Sequence, residues 1–424
     1  MSCNRYYIFL THCVCDVGGM QLYVSRKIDY LKSNGWIPLV FYYREGDISI
    51  PNLKDYKDNY LPVLRYCVGN VTETKRQNVL KLIKERLGPY NQLVIESCCL
   101  ALGTWGEYIA SEFRGKHILY VIDEVISYPT EEMKRFLDFK IKQNLLYCIN
   151  PNVIQRVWQD RKNLSALKLT ATGATSMNVV DEESAVINSL VVGDNTILSL
   201  GRLDKPYISH LFDVISEFAG DNANLRIDLI IIGDTPNDKE KDALLAKFNG
   251  VSNLCVHPLG YVWPIPKRLF SKVKVAVGSA GSIVLCNRQG VPSIAIDGKD
   301  YEAIGLYGIN TNNSLFRGSN DPQFSIKEWL QQIIIEKQYS HYIPEVISTP
   351  DYSRHQEIID TPFDYTYYPT HKSSKFVTYP VLRSAMIALD QNRYGHMLFK
   401  KLWGSAFFNN LVSKINKTDY KSKK

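Results

Sequence analysis

No apolar run in this 424-residue chain approaches the ~20 residues needed to cross a bilayer, which predicts a soluble or peripheral protein. The opening MSCNRYYIFLTHC carries one Arg and only about five apolar residues in a row, too few for the apolar core of a secretory signal. Cysteine is scarce and odd in number: nine, at positions 3, 13, 15, 67, 98, 99, 148, 255 and 286, mostly inside apolar runs. Neither Cys13-Val14-Cys15 nor Cys98-Cys99 has a matching pair at metal-ligand spacing, so packed, reduced thiols in a reducing cytoplasm are expected. No Asp-x-Asp triad follows a strand, and neither a metal nor any other cofactor is expected. Acid is missing altogether from Ala243 to Ile296, a span that carries Lys247, Lys267, Arg268, Lys272, Lys274 and Arg288. There is no internal repeat beyond a βαβ style shared by the two halves.

With 45% hydrophobic residues, the chain is long for one core and fits two domains of roughly 150–200 residues each. Residues 196–309 hold three strand-to-loop-to-helix transitions. NTILSLGRLDK (195–205) runs an apolar strand into Gly201-Arg202, and IDLIIIGDTPNDKEKDALL (227–245) runs one into Gly233-Asp234 and a helix. VKVAVGSAGSIVLCNRQGVPSIAI (273–296) passes through Gly278-Ser279-Ala280-Gly281-Ser282, a short helix and a Gly290-Val291-Pro292 turn into another buried strand. Continuous apolar runs flanked by helices predict a parallel sheet covered on both faces. Such sheets bind ligands at the strands' carboxyl ends, and glycine or cation at each junction suits an anion.

The order of these pieces resembles the carboxyl-terminal domain of the group 1 (retaining) glycosyltransferases, carried here by Gly201-Arg202-Leu203, IIIGD (230–234), LGYV (259–262) and GVPSIAI (290–296). The amino-terminal half agrees. Strand YYIFL (6–10) leads to Gly18-Gly19-Met20, opening a helix with Met20, Val24, Ile28 and Leu31 on one face, and LKSNGWIPLVFYY (31–43) reads as helix end, turn and second strand. The resemblance extends to about residue 335 and implies an α/β protein of the GT-B fold, two Rossmann-like domains with parallel sheets facing a central cleft.

The boundaries expected are an acceptor-side domain over 1–185, a nucleotide-sugar domain over 186–340, and an irregular crossover with helices returning to the first domain over 341–424. Residues 181–196 (DEESAVINSLVVGDNT) lack a long apolar element and mark the linker near 180–195. The stretch 341–375, dense in Pro, Tyr, His and Thr, reads as an ordered crossover whose aromatics need burial.

The reaction implied by the resemblance moves a sugar from a nucleotide-diphosphate donor to a sugar or lipid-linked hydroxyl acceptor. The diphosphate gains charge as it leaves, so cations and helix amino termini aimed at it lower the barrier. Arg202 matches the family's diphosphate arginine, and Gly18 and Gly19 its phosphate-approaching loop, although a plain tight turn would look the same. The lysine usual a few positions after the arginine falls on Tyr207, leaving Lys205 as the nearest cation. Backbone N–H groups of Ala280, Gly281 and Ser282 read as a phosphate cradle or as room for close packing. Glu302, in DGKDYEAIG (297–305), matches the acid of a later donor loop, with a helix-start carboxylate as the alternative. Asp123 is a candidate base, Glu124 and His12 candidate acceptor contacts, each alternatively structural.

Two departures stand out. The family's acidic pair falls on Val277 and Leu285, or one register on, Gly278 and Cys286, and a frequent first-domain histidine falls on Ile122. Three readings follow: an active transferase whose departing phosphate oxygen serves as base, a catalytically silent relative that binds a nucleotide sugar or scaffolds a partner transferase, and a nucleotide-sugar epimerase.

Charge is segregated. His371–Lys424 holds eleven Lys/Arg against Asp390 and Asp419, whereas residues 1–370 hold 39 cations and 41 anions. Within the tail, HMLFKKLWGSAFFNNLVSKINK (396–417) has the aromatic, lysine-rich pattern of a helix lying on an anionic leaflet or packing back on the protein. Residues 396–424 are thus a candidate contact with the inner membrane face. No nucleic-acid-binding motif accompanies the basic run, so nucleic acid is not expected as a partner.

Overall fold

The computed structural model describes residues 4–15, 17–121, 131–148, 179–235, 237–339, 353–360 and 366–373. The chain divides into two compact units, Met1–Cys15, Ile28–Thr172 and Arg354–Lys424 in one, Asp16–Lys27 and Gly173–Ser353 in the other.

The sheet of the first unit contains β1 (Asn4–Cys13), β2 (Ile37–Arg44), β3 (Tyr90–Ser97), β4 (Lys116–Val121) and β5 (Leu146–Cys148). All pairings are parallel, in the order β2-β1-β3-β4-β5. The crossovers use α1 (Gly19–Ser33), α2 (Glu73–Arg86), α3 (Leu100–Phe113) and α4 (Glu131–Lys142). Tyr7, Ile8, Phe9 and Leu10 are all buried, the signature of a strand covered on both faces. The predicted first helix is present, with Val24, Ile28 and Leu31 buried, and it ends at Gly35, whose φ of +74° needs a residue without Cβ strain. Strand order reverses between β1 and β3, which makes the ends of those strands the natural ligand position of this sheet.

The crossover is anchored on the same unit. Residues 353–360 form α10, and Ile359 O accepts from Gln92 Nε2 (3.1 Å) and Lys116 Nζ (3.3 Å). Further on, the Tyr368 amide donates to Glu107 Oε1 (3.0 Å), Thr370 Oγ1 to Thr104 O (2.7 Å), and Arg76 to His371 O (2.9 Å). The aromatic Tyr367, expected to need burial, donates its hydroxyl to Gly115 O at 3.0 Å.

In the second unit, a short parallel pair joins β6 (Val179–Val180) to β10 (Ile265–Pro266). The main sheet contains β7 (Thr196–Leu200), β8 (Ile227–Ile232), β9 (Leu254–Gly260), β11 (Val275–Gly278), β12 (Ser293–Ile296) and β13 (Ala303–Leu306), in the order β13-β12-β11-β7-β8-β9. Its helices are α5 (Ala185–Ser189), α6 (Ile208–Asp221), α7 (Asp238–Leu245), α8 (Gly281–Arg288) and α9 (Ile326–Leu330). Alternate residues of each strand feed two cores. Ile197, Leu229, Ile231, Val275, Val277 and Ile294 pack with α6 and α9 on one face, and Leu198, Ile230, Ile232, Ala276 and Ala295 pack with α8 on the other.

Two expectations need amending. The edge strand β13 is antiparallel to β12, because the six residues 297–302 between them are too few for a crossover. The stretch read as linker contains α5, and Ile187 and Leu190 are buried in the second unit's core.

Candidate functional site

The second sheet reverses its strand order between β7 and β11, and residues chosen from sequence gather at the carboxyl ends there. Gly201 and Gly233 lie side by side with φ of +149° and +138°. The Gly201 amide donates to Ile232 O (2.9 Å) and Leu203 N to Asp234 O (3.0 Å), and a Cβ on Gly233 would collide with the Gly201 carbonyl. The loops are therefore bare backbone where they meet. Arg202 Nε lies 3.2 Å from Asp204 Oδ1, with the Arg202 side chain 42% exposed. The guanidinium is tethered on one edge and open to solvent. Lys205 precedes α6, its carbonyl accepting from Ile208 N at 3.0 Å. Tyr207, where the resemblance expects a lysine, is a core residue with its hydroxyl over Gly201.

Across the strand-order reversal, Ala280 adopts φ 58°, ψ −136°, and its amide donates to Ser314 O at 2.6 Å. This corrects the cradle expected from three N–H groups: that of Ala280 is already committed. Ser282 Oγ turns back to Ser279 O (2.9 Å), so what the loop presents is the first turn of α8, at Gly281 and Ser282.

The missing acidic pair now has a physical reason. Val277 and Leu285 are buried in the apolar cores on opposite faces of the sheet, and a carboxylate at either would be stranded without solvent. The alternative position Cys286 is also buried, which pushes its thiol up to about 12.

Glu302 lies in the β12–β13 loop, immediately before β13, so it is not a helix-start carboxylate. Its Oε1 accepts from His210 Nε2 on α6 at 2.8 Å, while Oε2 is shielded and has no hydrogen-bond partner. The loop is rigidly tied. Asp297 accepts from the amides of Lys299 and Arg317 (both 2.6 Å), its own amide donates to Glu302 O (2.8 Å), and the Arg317 guanidinium bonds Asp300 (2.8 Å) and Ala303 O (2.9 Å). Tyr301, next to Glu302, is held at φ +67°. His210 was not singled out from sequence, since nothing in its neighbourhood distinguishes it and its partner is 92 residues away.

Gly18 and Gly19 open α1, and neither has a positive φ. A Cβ on Gly18 would meet only the end of the Gln21 side chain, and one on Gly19 nothing within 4 Å. His12 sits near the end of β1, its ring 5.4 Å from that of Tyr43. Asp123 and Glu124, with Ile122, lie outside the described residues, as does the basic segment 396–424. Among the described residues no helix is long and apolar enough to cross a membrane, and no group of three or more His, Cys, Asp or Glu could hold a metal ion. Cys13, Cys15, Cys67, Cys98 and Cys286 are buried as thiols.

A second constellation was invisible in sequence. His117 on β4 lies between Ser97 Oγ (3.1 Å from Nε2) and Glu107 Oε2 (2.8 Å from Nδ1), and Lys140 Nζ reaches the same Glu107 oxygen (2.9 Å) and His117 O (2.7 Å). The order Ser-His-Glu is that of a hydrolase triad. All four side chains are fully buried, however, and Gly106 leaves no space beside Ser97 and His117, so a substrate has no approach. Burial opposes ionisation of Glu107, but Lys140, His117 and the Tyr368 amide outweigh it and hold the carboxyl at about 2. Burial, reinforced by the Lys140 charge, pushes His117 down to about 4. The network is a neutral histidine beside a buried ion pair, closing the unit's core.

The architecture is α/β of the GT-B class, with two Rossmann-like units built on parallel sheets. No family model and no curated protein matches the chain. Among solved structures it is similar to a glycosyltransferase from Rickettsia africae, at 14% identity and TM-score 0.54 over 84% of this chain and 98% of that one. It is also similar to Anabaena HepE in complex with UDP, at 13% identity and TM-score 0.51 over 80% of this chain and 92% of that one. HepE in complex with UDP-glucose gives a TM-score of 0.50 at the same identity and coverage. At these identities the likeness establishes the fold.

Proposed function

We propose that the chain is a glycosyltransferase of the group 1, retaining type, which binds a nucleotide-diphosphate sugar at the strand-order reversal of its second unit. The observation that carries this is the bare Gly201–Gly233 backbone flanked by the exposed Arg202 and the first turn of α8. A diphosphate fits that chemistry: close backbone approach, a forked cation and a helix amino terminus. The bond from sugar C1 to the leaving phosphate oxygen breaks, the acceptor oxygen bonds C1, and the acceptor proton passes to the departing phosphate. Arg202 and α8 stabilise the charge that develops, without a divalent ion. Gly19 has neither a strained φ nor a neighbour that requires glycine, which supports a role in letting the donor approach. We assign acceptor contacts to His12 and Glu124, base or acceptor contact to Asp123, and a secondary cation to Lys205. The acceptor is a hydroxyl of a cell-surface polysaccharide or glycolipid, met in the cytoplasm at the inner membrane face through residues 396–424.

The burial of Val277 and Leu285 favours a second reading, a protein that binds nucleotide sugar without turning it over. Thermal shift and titration with UDP, GDP, ADP and CMP, with and without EDTA, test the binding, with UDP first because HepE was captured with it. Arg202→Ala should weaken the bound nucleotide about tenfold or more without lowering Tm, since charge-assisted hydrogen bonds are worth about 1.5–3 kcal/mol and this side chain packs little. Unchanged affinity would overturn the site, and binding without sugar transfer or hydrolysis would select the second reading.

A further inference from the structure

The sequence contains two Asn-Gly pairs, Asn34-Gly35 and Asn249-Gly250, and the structure holds them differently. In such a pair no Cβ crowds the glycine nitrogen, so it can reach the asparagine side-chain carbonyl carbon and close a five-membered ring. Both pairs lie in exposed turns. Asn34 is bound at the groups that ring closure must move. Its Nδ2 donates to Tyr30 O (2.8 Å) and Ser33 Oγ (3.4 Å), its backbone carbonyl accepts from Arg5 Nη2, and the Gly35 amide donates to Lys32 O (3.1 Å). Asn249 is tied only through its own amide, which donates to Ala246 O at 3.1 Å. Among the described residues its side-chain amide and the Gly250 N–H have no partner, and a Cβ on Gly250 would meet nothing within 4 Å.

The turn is fixed on both sides of this pair. Lys247 O accepts from Ser216 Oγ (3.0 Å), Lys247 Nζ pairs with Asp213 (2.5 Å), and the Phe248 ring lies 5.0 Å from that of Phe212, all three partners being on α6. Beyond the pair, Leu254 N donates to Val251 O at 3.2 Å as β9 begins. Asn249 has a ψ of 130°, which turns the glycine nitrogen away from Cγ, and Gly250 has a φ of +88°. Attack therefore needs rotation about one bond in an exposed stretch without side-chain ties, the kind of local opening that costs least.

We propose that Asn249 is a self-modifying site, converted by its own backbone to a mixture of aspartate and isoaspartate. The Gly250 nitrogen loses its proton to solvent base and bonds Asn249 Cγ, the Cγ–Nδ2 bond breaks, and ammonia leaves with a proton taken from water. Water then adds to either carbonyl carbon of the ring and opens it, so that one amide and one water give one carboxylic acid and ammonia. The product places a carboxylate in the acid-free span from Ala243 to Ile296, close in sequence to the Lys247 ammonium, and its isoaspartyl form adds a backbone methylene at residue 249. No step involves the strand-order reversal, so the inference is independent of the donor reading.

The test follows the purified full-length chain in mildly alkaline buffer by peptide mapping with mass spectrometry, and reads isoaspartate separately with a protein carboxyl methyltransferase and labelled S-adenosylmethionine. In the native protein, position 249 should convert faster than position 34 by on the order of tenfold, since each net hydrogen bond restraining Asn34 slows its ring closure about fivefold. In urea, where neither pair is held, the two should convert at matching rates. Asn249→Gln, whose longer side chain would have to close a six-membered ring, should lose most of the methyl-accepting signal. The inference is overturned by native conversion at position 34 as fast as at 249, or by none at 249 in the time the urea-unfolded chain converts both. A methyl-accepting signal unchanged in Asn249→Gln overturns it equally.

Discussion

His117 sets a pH limit on the first unit. Its pKa falls from 6.5 to about 4 on folding, so between those values the unfolded chain binds a proton that the native state refuses. Stability is therefore complete above pH ~6.5 and declines as the pH falls toward 4, by about 3 kcal/mol at 1.36 kcal/mol per unit. Glu107 acts lower. Its depressed pKa adds stability above the ordinary carboxylate range that is lost as pH falls toward 2. Urea midpoints at pH 7.0 and 4.5 should drop steeply for the wild type and far less for His117→Gln, which cannot take up the proton. A wild-type midpoint unchanged across that interval would contradict the buried neutral imidazole.

At the level of elements, the β11-to-α8 connection explains why a familiar acidic pair is absent. Val277→Glu would restore an acid the resemblance expects, yet position 277 faces the apolar core with α6 and α9. An isolated buried carboxylate costs several kcal/mol, so this variant should express insoluble or melt well below wild type by scanning calorimetry, with no gain in transfer. The β7 and β8 ends give a second case. Gly233→Ala places a methyl against the Gly201 carbonyl at a φ of +138°, and should lower stability by at least about 2 kcal/mol by chemical denaturation while also weakening nucleotide binding. These strand-loop-helix junctions were legible in sequence because apolar runs, glycine breaks and helix starts are local signals. Gly201-Arg202 and Gly233 follow directly on the ends of β7 and β8, as those local signals imply. His210 with Glu302, and Ser97, Glu107, His117 and Lys140, were not legible, because each set is assembled by packing between distant segments. The Ala280 amide misled for a related reason: its acceptor, Ser314, lies 34 residues away in an irregular stretch. Glu107, set mid-helix among the buried residues of LALGTWGEYIASEF while the helix's other acid, Glu112, stands at its end, was the available hint of a buried network.

Over the whole molecule, the two units are not equally contiguous in sequence. The first returns to its own α3 after the entire second unit, through Tyr368 and Thr370, and to α2 through His371. Ending the chain at residue 360 removes the Tyr368 amide from Glu107 and the hydroxyl of Tyr367 from Gly115, leaving a buried carboxylate one donor short. Such a truncation should lower the unfolding free energy of the first unit by about 1–3 kcal/mol, relative to a chain ending at 373, in a urea titration followed by Trp fluorescence.

The same tie has a bearing on biosynthesis. A ribosome extends the polypeptide from its amino terminus, and residue 368 emerges only when most of the 424 residues have already been made. The amino-terminal half then waits, with one charged oxygen of Glu107 unquenched, while its neighbour is translated in full. Completion of the earlier-born lobe is thereby coupled to arrival of the later sequence.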